Sequence, residues 1–121
     1  MILVETDVER ALLTVIYCGH VVPEEFGPAM GEIREGLGKL QPGFRLLTDL
    51  GGLEAMDYAC ASLVDQAMDL INAAGVAVVV RIVPDPKKDI GFRVMSMFHY
   101  GPGVGIVTVE TMEEAMRALA G

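Results

Sequence analysis

Apolar positions recur along this chain in two rhythms. Five short runs, ILVE at 2–5, RALLTVIYCG at 10–19, FRLLTDL at 44–50, VAVVVRIV at 76–83 and VGIVTV at 104–109, are nearly unbroken and bounded by turn formers. Such runs predict strands. Between them the apolar residues recur every three or four positions, the spacing of one buried helix face. Over 21–40 that stripe is Phe26, Met30, Ile33 and Leu37. Pro23 is placed to open this helix, with Glu24 and Glu25 near its positive end. Gly27 and Pro28 weaken the first turn and push the start later. Over 57–75 the stripe is Val64, Met68 and Ile71, widened by Leu63, Ala67 and Leu70. Asp57 stands where an N-cap belongs, and Gly75 where a helix ends. A third helix is expected within 84–101, capped by Asp85 with Pro86 next, its apolar face formed by Ile90, Val94, Met97 and Phe98. The last is short and opens with Thr111 and Glu114 at capping-box spacing.

The predicted order is β-β-α-β-α-β-α-β-α. Only TDVER separates the first two strands, so they pair antiparallel. Alternation of strand and helix thereafter implies a mainly parallel sheet. A length of 121 residues, without linker, repeat or low-complexity segment, fits one α/β domain over 1–121.

Composition narrows the function classes. Seventeen acidic residues against nine basic ones leave a net charge of −8, and Lys87-Lys88 is the only adjacent basic pair. Phosphate backbones repel such a surface, so no nucleic-acid partner is expected. An apolar share of 52% is high for so short a chain; it accords with a homodimer or an apolar ligand groove, and equally with an alanine- and valine-rich core. The two cysteines have neither metal nor disulfide-framework spacing. Cys18, in an apolar strand, reads as a buried thiol, and a reducing cytoplasm is the expected compartment. MILV is too short for a leader, and no run approaches a membrane span.

Candidate chemistry gathers at two places. Asp49 and Asp57 bracket the Gly51-Gly52 loop. Acid–base work there would need one carboxyl buried beside a partner; the plainer reading is a strand end and a helix cap. Cys60 falls in the first turn of a helix, where the dipole would lower its pKa; no histidine is near it in sequence, and a small residue packed under the loop is the simpler role. His20 and His99 are isolated from other ligand types, so no metal is expected. His99 also suits stabilisation of a helix C-terminus. GPGVG precedes a strand rather than a helix and reads as a turn, not a phosphate cradle. The second place is RVMSMFHY, where Met97, His99 and Tyr100 combine adaptable apolar surface with polar tips. These residues would line a pocket for a small apolar ligand, or simply pack in the core.

The strand, the Asp49-Leu50 pair, the loop and the Met56-Asp57 helix entry resemble the STAS family, the sulfate-transporter and anti-sigma-factor-antagonist domain. In that family Asp-Ser-Ser/Thr-Gly opens the helix, and one hydroxyl of the pair is a phosphorylation switch. Here the hydroxyl pair falls on Tyr58 and Ala59, and the glycine on Cys60; Ser62 lies one turn further on. The stretch GVAVVVRIVPDPKKDIGFRVMSMFHYG is similar to small stand-alone bacterial SpoIIAA-like proteins. A wider grouping of the fold includes lipid-carrying Sec14-like domains. The resemblance implies a cytoplasmic, non-catalytic regulatory or binding module without cofactor, its switch loop at Asp49, Asp57, Tyr58 and Ala59 lacking the acceptor. The alternative it implies is a carrier of a small apolar, lipid-like molecule. An enzyme built on Asp57, Cys60 or His99 ranks behind both.

Overall fold

The computed structural model describes residues 1–83, 98 and 100–120. β1 (Ile2–Asp7) and β2 (Leu12–Tyr17) form an antiparallel hairpin. β4 (Arg45–Asp49), β6 (Val78–Ile82) and β7 (Gly105–Val109) then add in parallel, giving one sheet in the order β1-β2-β4-β6-β7. These are the five strands that the apolar runs predict, with the expected antiparallel first pair. A smaller parallel pair was not foreseen: β3 (Gly19–Val21) lies against β5 (Leu53–Met56). β2 stops at Tyr17, and Gly19 follows at φ 68. That left-handed turn redirects the chain, so the long predicted strand is two short ones. Cys18 consequently sits in the break and is only half-buried, not within a strand as a buried thiol.

Side chains alternate across the sheet. Leu13, Val15 and Tyr17 of β2, Leu46 of β4 and Val79 of β6 face α1 (Phe26–Lys39) and α2 (Ala61–Ala73), and together they form the main core. Leu12, Leu47, Val80 and Ile82 face the opposite way, against Ala115 and Leu119 of α3 (Met112–Leu119). β6 is therefore covered on both faces, which explains its almost continuous valine run.

The helix ends follow local chemistry. Pro23–Glu25 form a 3-10 turn, and Glu25 accepts the Val22 amide hydrogen bond at 2.9 Å before α1 begins. Pro28 is tolerated because its missing N–H belongs to the first turn, where no helical acceptor exists. Gly75, at φ +93, terminates α2, and its carbonyl accepts from Gly43 at 2.7 Å. A Cβ there would stand 2.9 Å from the Pro42 ring. Thr111 caps α3 by accepting from the Glu114 amide at 3.1 Å; its hydroxyl in turn donates to the Glu114 carboxylate. The predicted box thus forms with a side-chain rather than a backbone return bond. Of the expected third helix only Phe98, Tyr100 and Gly101 are among the described residues; the rest, including Asp85, Lys87 and Lys88, lies outside them.

Candidate functional site

The parallel strand β4 delivers Asp49 to the C-terminal end of the sheet, where open α/β sheets commonly place their working loops. Asp49 folds back on the loop it starts, accepting the Gly51 amide at 2.9 Å. Leu50 is tied to β6 through the Ile82 carbonyl at 2.9 Å, and its side chain is wholly buried. Gly52 meets β3 through a 3.0 Å bond from the Gly19 amide. β5 then runs to Asp57, whose amide bonds to the Val21 carbonyl at 3.2 Å.

Asp57 occupies the N-cap position of a 3-10 turn over Tyr58–Cys60, in extended conformation, but its carboxylate caps nothing. It reaches instead to His20, with Oδ1 2.6 Å from Nε2. The helix-cap role expected of Asp57 is therefore corrected: β3 brings an imidazole close enough to take the carboxylate. Charge-assisted bonds of this length are the stronger kind, although both partners here are substantially exposed to water. Asp49 and Asp57 are engaged separately, one with the loop amide and one with His20, so they form no carboxyl pair. His20 and Asp57 supply two ligand types, and among the described residues no third His, Cys, Asp or Glu joins them as a metal site.

Tyr58 projects from the entry to α2 with 76% of its surface exposed, and Ala59 beside it is exposed too. Cys60 points the other way and is fully buried. Burial, reinforced by the Asp57 carboxylate, pushes its thiol pKa up. The activating effect of a helix terminus is thus overridden, and Cys60 is the packed residue under the loop. Ser62 is exposed in the first turn of α2.

Beneath the loop lies a buried aromatic group. Tyr17 contacts Phe98 edge-on, with centroids 5.5 Å apart, and Phe26 at 6.3 Å. Burial first, then the nearby Tyr100 and Cys60, raise the Tyr17 pKa well above its ordinary value. Tyr100 is half-buried, its hydroxyl 3.5 Å from that of Thr48, and burial raises its pKa as well. Of the expected pocket residues Tyr100 is the one described, and it packs against the main core; Met97 and His99 lie outside the described residues. Sequence reasoning missed His20 as a partner of Asp57, because their contact spans 37 positions through strands of three and four residues. Neither strand is long enough to carry a period.

An antiparallel hairpin feeding a parallel sheet, with α1 and α2 on one face and α3 on the other among the described residues, is the SpoIIAA-like, or STAS, fold. The solved structures bear this out. The chain superposes on the anti-sigma factor antagonist SpoIIAA in its unphosphorylated form with a TM-score of 0.69 at 17% identity, covering 100% of this chain and 99% of that one. It superposes on an uncharacterised DUF3478 protein with a SpoIIAA-like fold, from Shewanella loihica PV-4, with a TM-score of 0.67 at 19% identity, covering 98% and 92%. The phosphorylated form of the Bacillus cell fate determinant SpoIIAA gives 0.62 at 20%, covering 98% and 99%. No family model matches the sequence, and no curated protein does. Among the described residues no helix is long and apolar enough to cross a membrane.

Proposed function

We propose that this chain is a non-catalytic regulatory module that docks on a protein partner through the loop from Asp49 to Cys60, with Tyr58 as its central contact and without a phosphate switch. The observation that carries this reading is the exposure of Tyr58 at 76%, on a loop otherwise held down by backbone bonds. A large aromatic side chain left in water at a fixed position is the kind of anchor that protein interfaces use. On the sequence resemblance to the STAS switch, the positions of the phosphorylatable pair are taken by Tyr58 and Ala59, neither of them serine or threonine, which supports a module without that switch. The buried Cys60 and the separate engagements of Asp49 and Asp57 favour a binding role over an enzymatic one. The carrier reading draws on Met97, His99 and Tyr100; the packing of Tyr100 against the core and Thr48 favours docking over transport.

The test is affinity capture from the native host with the wild-type chain and Tyr58→Ala, read by mass spectrometry, together with the intact mass of the endogenous protein. Wild type should retain a protein that Tyr58→Ala loses, and the endogenous chain should carry no phosphate. Identical retained sets, or stoichiometric phosphate on Tyr58 or Ser62, would overturn the reading.

A further inference from the structure

A second surface lies on the face of the sheet opposite α1 and α2. α3 packs on Leu12, Leu47, Val80 and Ile82 and leaves Leu3, Glu5 and Asp7 of β1 exposed on its side, with Thr14 and Ile16 of β2 half-buried. Between α3 and this hairpin runs an open groove of about 510 Å³. Its floor is Leu12, Thr14, Ile16 and Leu47, and its α3 wall is Met112 and Met116, four residues apart on one helix face and 42% and 39% exposed. Val8 overhangs the hairpin end of the groove, 56% exposed.

The rim has a definite charge. Among the described residues Glu5, Asp7 and Glu9 line it against one cation, Arg10. Among the described residues Glu5 and Glu9 have no ion-pair partner. The frame is fixed: the Arg45 guanidinium donates to the Leu119 carbonyl at the end of α3 and to the Arg10 carbonyl in the hairpin turn, pinning helix and turn together. An apolar trough with a fixed frame and an acidic rim complements one chemistry, an apolar helix face flanked by Lys or Arg. A second copy of this chain fits poorly, because two-fold pairing would set acid against acid.

We propose that the groove between α3 and the β1–β2 hairpin docks a basic amphipathic helix of a partner protein. It shares no residue with the loop from Asp49 to Cys60 and lies on the other face of the sheet from α1 and α2, so the chain thereby has two binding surfaces. Methionine walls suit such an occupant because they adapt to different apolar side chains.

A phage-displayed library of random 16-residue peptides, panned on the full chain, tests this. Enriched peptides should carry apolar residues at helical spacing with Lys or Arg between them. In fluorescence anisotropy, Met116→Lys and the pair Glu5→Lys with Glu9→Lys should each weaken them at least tenfold, while Tyr58→Ala leaves them unchanged. All four positions are exposed, so the variants should fold, as circular dichroism would show. Raising the salt should weaken binding to the wild type. Failure to enrich binders, binders lacking positive charge, or binders indifferent to these substitutions would overturn the proposal. So would a dimer abolished by Met116→Lys, which would assign the face to a second copy, or vesicle binding abolished by it, which would assign the face to a membrane.

Discussion

Tyr17 shows how one buried hydroxyl sets a pH limit on the molecule. Its folded-state pKa is raised by burial, with Tyr100 and Cys60 adding to the effect. In the unfolded chain it titrates near 10. The folded state therefore resists a deprotonation that the unfolded state accepts. The stability linked to Tyr17 is fully present below about pH 10 and is lost as pH rises from there towards the folded pKa. Urea unfolding at about pH 8 and about pH 11 should show a marked fall in midpoint for the wild type. Tyr17→Phe should lose much less over the same interval. Equal losses would mean that other groups, Tyr100 first among them, set the alkaline limit. The same aromatic group packs beneath the loop that presents Tyr58, so the exposed anchor rests on a rigid base. At this scale the sequence was informative about residue types, but not about orientation: Tyr58 and Cys60, two positions apart, point to water and to the core respectively.

Between elements, contact distance decides what a helix can carry. α1 approaches β1 so closely at Gly36 that a Cβ would overlap the Thr6 hydroxyl and stand 3.1 Å from Leu13. Gly31, on the same helix, faces open space. Alanine is favoured over glycine in a helix by about 1 kcal/mol, so Gly31→Ala should stabilise by up to that amount. Gly36→Ala gains the same propensity but overpacks a β-branched side chain, at a cost of about 1–3 kcal/mol. Its net effect should be destabilising, opposite in sign to Gly31→Ala in the same denaturation series. If both stabilise, Thr6 yields more easily than its place in β1 implies. From the sequence the two glycines look alike, because the atom that separates them belongs to a strand 30 positions earlier. The boundaries of α1, by contrast, were largely legible: Pro23, the glutamates and the weakened first turn are local signals, and the 3-10 turn before Phe26 is what they describe.

For the whole molecule, the question is what the remaining apolar surface does. β7 is the outermost described strand beyond β6, with Ile106 46% and Val107 39% exposed on its two faces. Among the described residues no strand pairs with its outer side, and such an apolar edge invites pairing with another strand. We predict a two-fold dimer in which β7 pairs with its symmetry mate, consistent with the high apolar share of the chain and distinct from the acid-rimmed groove. Light scattering at micromolar concentration should give a dimer mass, reduced to a monomer by Val107→Lys and unaffected by Met116→Lys. A wild-type monomer at the highest soluble concentration would discard this arrangement.

The sequence by itself determined the layered α/β plan. Each strand of the main sheet is an apolar run, α1 and α2 are apolar stripes, α3 opens on its own capping threonine, and such signals are written within ten or so neighbouring residues. It also marked Asp49 as a strand end and Asp57 as the entry to a helix, because both are local features; the strand β5 between them it did not show. Tertiary structure decided the rest. The pairing of β3 with β5, the turn of Asp57 from cap to His20, the burial of Cys60 and the Arg45 bridge between α3 and the hairpin all depend on residues 34 to 74 positions apart. No local rhythm encodes such contacts. They exist because packing the described helices on the two faces of the sheet brings those groups within bonding distance.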